Sequence, residues 1–415
     1  MTDLLSRADR PAPRSFRMRM AALVARIDAA TPPERDRAVD ALRGCAIAGV
    51  VLGHWLVTAL VSSDGALHGA SPLQHTPWLA PISWIFQTLA VFFFVGGHVA
   101  VKSYASARGR GTSYRQWLAA RLARLFKPVI ALLCTWTLIA GALLATGTTL
   151  GTVHTLTKLA VSPLWFLLVF AALTALTPLV SRMNALVPLA AVTVVDVSRF
   201  ALDGPSGLGW INVIAGWLVP YCLGAAWARG QLAGRSRWAL LIGSVLATAV
   251  LLIWGGYPVS MVGVPGAAVS NLNPPTLAAV AFGLAQCALA LLLAEPLRRA
   301  MRRPAAWAAM ALVNLSAMTV FLWHQTAMMA ITTAGLLTSA ALPGLHTPPD
   351  SPAWAVARLV WLPLFAAALV VCWAAVHPFE KTKRRENPTR RPMPLLPSPS
   401  PTLAQPAAAL SPTTQ

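Results

Sequence analysis

Charge is what this sequence has least of. Only 11% of its 415 residues are charged, and 13 acids face 33 lysines and arginines. Soluble domains carry about a quarter charged residues, so a water-soluble core is excluded. Cysteine is scarce as well. Cys45, Cys134, Cys222, Cys287 and Cys372 each lie inside an apolar run without paired spacing, which excludes a zinc site or a secreted disulfide framework. They read as small apolar packing residues, and no metal is expected. After the arginines from Arg7 to Arg19 there is no short cleavable apolar segment, because the first apolar run is long and contains charge, so a retained first helix is expected. Internal repeats of the kind that mark many transporters are absent too.

What is present is apolar length. Hydrophobic residues make up 56% of the chain, in runs of about 20 residues, the length that a hydrocarbon layer demands of a helix. The expected fold is all-α, a polytopic transmembrane bundle of about ten spanning helices. They are placed at 41–62, 80–101, 127–147, 163–181, 185–203, 209–228, 238–255, 276–295, 306–330 and 354–377. The fifth is the weakest as a span, because Asp196 and Arg199 interrupt it.

The net charge of +20 would suggest nucleic acid in a soluble protein. Its distribution says otherwise. Of the 33 basic residues, all but Arg43, Lys158, Arg199 and Arg358 fall in the N-terminal segment, in alternate connections or in the C-terminal tail. That alternation is the positive-inside pattern. Both termini are therefore expected in the cytoplasm, with no nucleic-acid partner and the lipid bilayer as the main one. Three regions follow: a basic segment over 1–37, a membrane domain over 38–380, and a basic then Pro-rich tail over 381–415 whose end reads as disordered. The stretch Met18–Ile27 reads as a short amphipathic helix on anionic headgroups.

The first span carries the chemistry. Eleven positions separate Arg43 from His54, about 16 Å of rise and nearly whole turns, so the two side chains share one face. Asp40 reaches Arg43 from the same face, and Gly44, Ala48, Gly49 and Gly53 let neighbours approach. A boundary arginine with a strut histidine is one explanation. An anionic group entering past Arg43 toward a base at His54 is the other.

Asp40-Ala41-Leu42-Arg43-Gly44, with a histidine after ten intervening residues, resembles the acyltransferase family 3 membrane proteins. So do Phe92-Phe93-Phe94-Val95-Gly96-Gly97, the arginine pair in Arg121-Leu122-Ala123-Arg124-Leu125-Phe126-Lys127-Pro128, Leu164-Trp165-Phe166-Leu167 and Phe321-Leu322-Trp323-His324-Gln325. The resemblance spans about residues 37–380. It departs at Gly96, where the family usually has a serine, and Gly97 and His98 follow.

The resemblance implies an integral O-acyltransferase of the cytoplasmic (inner) membrane. It would move an acyl group, acetyl from acetyl-coenzyme A above all, to a hydroxyl of a carbohydrate or related acceptor. His54 would be base or acyl carrier and Arg43 would orient the site. Arg121 and Arg124, a helical turn apart, would hold the phosphates of acyl-coenzyme A, although a pure topology anchor also explains them. Asp40, Phe93, Gly96, Trp165 and His324 would line the site, and the segment from Tyr257 to Pro275 would cover its outer mouth. The rival is a transporter or flippase with Arg43 and His54 along its path.

Overall fold

The computed structural model describes residues 16–63, 65–338 and 341–380. The expected tail over 381–415 and residues 1–15 of the basic segment lie outside that range. Helix α1 (Phe16–Ala29) covers the proposed amphipathic stretch and packs against α13 (Pro304–Leu315). There Trp307 donates to Thr31 and receives the guanidiniums of Arg35 and Arg37 over its ring.

Asp36 caps α2 (Arg37–Val57) by accepting from the amide of Ala38, which satisfies one of the free donors at a helix start. Burial works against its charged form, but Arg298, paired at 3.0 Å, outweighs that and holds the carboxyl below its ordinary pKa. Helix α2 ends earlier than the 41–62 run suggests. Its last residues give way to a hairpin, β1 (Ala59–Ser63) antiparallel to β2 (Ala66–Ala70), with Leu60 opposite Gly69. The β-branched Val61 and the polar Ser62 and Ser63 after it suit a short strand that runs from buried to exposed.

A one-turn α3 (Ala80–Ser83) leads into α4 (Leu89–Gly109). Ser113 and Gln116 form a capping box for α5 (Tyr114–Ala145), which begins well before the expected 127 and carries Arg121 and Arg124 on helix rather than loop. Pro163 breaks the next span into α6 (Leu150–Val161) and α7 (Leu164–Ala175), followed by a one-turn α8 (Thr177–Val180). The weak fifth run forms α9 (Leu186–Phe200), only 15 residues long. The buried carboxylate of Asp196 is not left alone. It accepts from Asn212, Tyr257 and the amide of Leu277, with Arg199 at 3.7 Å.

The remaining helices are α10 (Asn212–Ala228), α11 (Ser236–Ile253), α12 (Leu277–Ala300), α13, α14 (Ala317–Gly335) and α15 (Pro352–Glu380). Among the described residues 8 helices are long and apolar enough to cross a membrane, or 9 counting α13 and α14, which meet at a 70° bend, as one broken span. The chain is thus a helical polytopic bundle.

Helices α4 and α10 touch most closely. A Cβ at Gly97 would collide with the carbonyl of Tyr221, and one at Gly224 with that of Phe94. Backbones meet there because neither residue has a side chain. Cys222 and Cys287 are buried as expected, whereas Cys45 and Cys134 face outward, so the packing role assigned to those two does not hold. Apolar side chains look outward in a bundle whose solvent is lipid.

Candidate functional site

Two cavities meet inside the bundle. The first, of about 210 Å³, is lined by Arg43, Gly96, Arg121 and Asn314 among aromatic and aliphatic walls. The second, of about 500 Å³, holds His54, Gln87, His154, Lys158, Ser162 and Trp165. Phe166 and Phe321 line both, with ring centroids 5.2 Å apart. Helix α2 runs past both. Its Arg43 opens to one side of this aromatic partition and its His54 to the other.

Arg43 is held from two directions. Its Nε donates to Asn314 Oδ1 at 2.6 Å, and an Nη lies 3.4 Å from Asp40, which also pairs with Arg35 at 2.6 Å. The Asn314 amide donates back to the backbone of Asp40 at 2.9 Å. This network ties the bend between α13 and α14 to the start of α2. One guanidinium edge remains for a ligand, which suits an anion, since Arg presents its donors as a planar fork. Arg121 lines the same cavity, with its guanidinium 5.3 Å from the Trp117 ring centre. Arg124 is exposed and outside the lining, so the arginine pair is split.

His54 receives a hydrogen bond at Nδ1 from the Gln325 amide at 3.1 Å, and the His324 ring lies 5.1 Å from its own, centre to centre. The fully buried His324 donates from Nδ1 to the Phe321 carbonyl at 2.7 Å, which fixes its tautomer and leaves Nε2 as an unpartnered acceptor. The Gln325 Oε1 is likewise buried without a partner. Unsatisfied buried polar atoms cost stability and cluster at sites that await a ligand or proton. Arg358, wholly buried, donates to the carbonyls of Trp55, Thr58 and Gly344, which closes the end of α2 just past His54. Gly344, at φ +75°, turns its carbonyl inward for this.

The other expected site residues divide. Trp165 lines the second cavity at 39% exposure, near Trp217. Phe93 is fully buried behind the partition, stacked on Trp217 and 4.8 Å from Phe166. Gly96 lines the first cavity, where any side chain would strike Phe170. His98 packs on Trp227, centroids 4.2 Å apart, and reaches neither cavity. From the segment 257–275, Val262, Gly263, Pro265 and Leu272 close one side of the second cavity. Asn271 pins that segment through the carbonyls of Pro258 and Ser260 and through Thr276.

Sequence reasoning passed over Asn314, Gln325, Phe321 and Lys158 as site residues. An amide inside an apolar run was the available signal for the first two. Only the fold shows that Phe321 faces Phe166.

The site thus belongs to a multi-pass membrane bundle that sets an arginine-lined cavity and a histidine-lined cavity back to back across Phe166 and Phe321. The model of a family described as an acyltransferase domain, acyltransferase family 3, matches residues 36–377, and the chain belongs to that family. No curated protein and no solved structure matches it.

Proposed function

We propose that the chain is an acyl-coenzyme A dependent O-acyltransferase of the cytoplasmic membrane that acylates, above all acetylates, a hydroxyl of a glycan. The observation that carries this is the placement of His54 and the Arg43–Arg121 pair on opposite sides of a thin aromatic partition. The first cavity suits the thioester end of a donor with a phosphate at its mouth: two arginines supply the charge, and its walls are apolar. The second is large enough for sugar rings and offers a tryptophan to stack on them.

In this reading the first cavity faces the cytoplasm, as the basic flanks of α2, α4 and α5 favour. A half-turn of the Gln325 amide exchanges Nε2 for the unpartnered Oε1 beside Nδ1. Oε1 then accepts from Nδ1–H, and the His54 Nε2 lone pair is free to take the acceptor hydroxyl's proton. The alkoxide oxygen forms its bond to the thioester carbonyl carbon, the C–S bond breaks, and the proton on His54 passes to the departing thiolate. Arg43, fixed by Asn314 and Asp40, holds the donor in register. A transporter would need alternating access of one site, whereas two cavities sharing a wall favour transfer.

The test uses purified protein in lipid nanodiscs with radiolabelled acetyl-coenzyme A and a panel of glycans. His54→Ala is expected to bind donor normally and to transfer nothing. Full transfer by that variant would sink the proposal.

A further inference from the structure

Four basic side chains stand outside the cytoplasmic set: Arg43, Lys158, Arg199 and Arg358. Three have structural partners. Arg43 is bound by Asn314 and Asp40, Arg199 faces Asp196, and Arg358 closes the end of α2. Lys158 is the one left over. Among the described residues it makes no ion pair, and it lines the same cavity as His54.

Its surroundings are one-sided. The lining of that cavity contains Lys158, His154 and His54 but no aspartate or glutamate, with the hydroxyls of Ser71, Ser83 and Ser162 between. Lys158 stands eight residues along α6, about 12 Å from that helix's start, rather than at its outer tip. Lys158 is exposed where it lines the cavity, and a lysine on the translocated side works against the positive-inside bias. Among the described residues no acidic side chain pairs with it.

The geometry points to an acceptor that carries a negative charge, a carboxylate or a phosphate, close to the hydroxyl that is acylated. Lys158 binds that anion at the cavity wall while Trp165, in the same lining, stacks on the sugar ring, and the hydroxyl is left facing His54. A neutral glycan would gain nothing from the exposed lysine, whereas an anionic one pairs with it. This inference rests on the acyltransfer reading only in calling the bound molecule an acceptor.

Binding rather than turnover tests it. Titration calorimetry on the full-length protein in nanodiscs compares tetragalacturonate with its neutral galactose tetramer, and galactose 1-phosphate with galactose. The first pair reads the carboxylate source and the second the phosphate source. At least one charged probe is expected to bind about tenfold more tightly than its neutral counterpart. Lys158→Gln removes that preference, Lys158→Arg keeps it, and added salt weakens it. Equal binding of charged and neutral probes, absence of charged-probe binding, or a preference unchanged in Lys158→Gln would each overturn the proposal. A lysine that merely stabilises the last turn of α6 predicts that unchanged preference. Acetyl-coenzyme A binding, measured on the same samples, separates the two readings. Its loss with the anion preference intact removes the acyltransferase proposal alone, and the reverse removes this one alone.

Discussion

Gln325 holds His54 through its ring nitrogen Nδ1, at 3.1 Å, from the neighbouring helix α14. That bond decides which nitrogen carries the proton, and so whether Nε2 faces the second cavity as a base or as a donor. Gln325→Leu fills the same space without a polar atom. Its kcat is expected to fall about 10- to 100-fold with donor affinity unchanged. Gln325→Glu, which keeps an oxygen to accept Nδ1–H, is expected to retain more activity than the leucine variant. Histidine nitrogen NMR on the two variants supplies a readout independent of turnover, since the His54 tautomer must become mixed in the leucine form.

Arg121 and Arg124 sit one turn apart, yet only Arg121 enters the first cavity. Arg121→Ala is expected to weaken acetyl-coenzyme A binding about tenfold and to reduce its salt dependence. Arg124→Ala should stay within about twofold of the parent, as exposed surface charges do. Calorimetry with acetyl-coenzyme A decides it. Equal losses from both substitutions would mean that the donor reaches outside the cavity described here.

Much of the bundle was legible in the sequence because lipid imposes one simple constraint, a long apolar run per span, and this chain obeys it from α2 to α15. The exceptions have physical causes. The end of α2 was drawn too far because Ala59–Ser63 is as apolar as a helix end, and hydropathy does not separate a strand from a helix over five residues. The start of α5 was drawn too late because its first turns carry arginines, which lower hydropathy without breaking a helix. At the site, Arg43 and His54 were visible as charge in an apolar helix. Their separation by Phe166 and Phe321 was not, since those rings arrive from α7 and α14 and look like ordinary core residues. Arg358 read as a stray basic residue on the far side. Its partners are backbone carbonyls, which leave no mark in a sequence.

Those carbonyls make Arg358 a stability residue. Arg358→Met removes five donors, and the carbonyls of Trp55, Thr58 and Gly344 lose their partners in a buried setting. The expected cost is about 1 to 3 kcal/mol for each buried carbonyl left without a donor. Thermal unfolding in detergent should show a lower midpoint, with donor binding at Arg43 and Arg121 intact below it. A midpoint unchanged from the parent would mean that water replaces the guanidinium.

The aromatic partition makes the last prediction. Phe166 and Phe321 are the side chains that both cavities share, and Phe321 also supplies the carbonyl that fixes His324. Phe321→Ala keeps that carbonyl and removes the ring, widening the junction of the two spaces beyond what the acceptor hydroxyl fills. Water from the second cavity then competes with the acceptor for the bound thioester, with His54 positioned to activate it. Acetyl-coenzyme A hydrolysis without acceptor, read as free thiol, is expected to rise while transfer to acceptor falls. His54→Ala added to Phe321→Ala should abolish the leak. A leak that persists in the double variant would place the hydrolytic water away from His54, and the Phe321 ring would then be packing rather than a limit on water at the thioester.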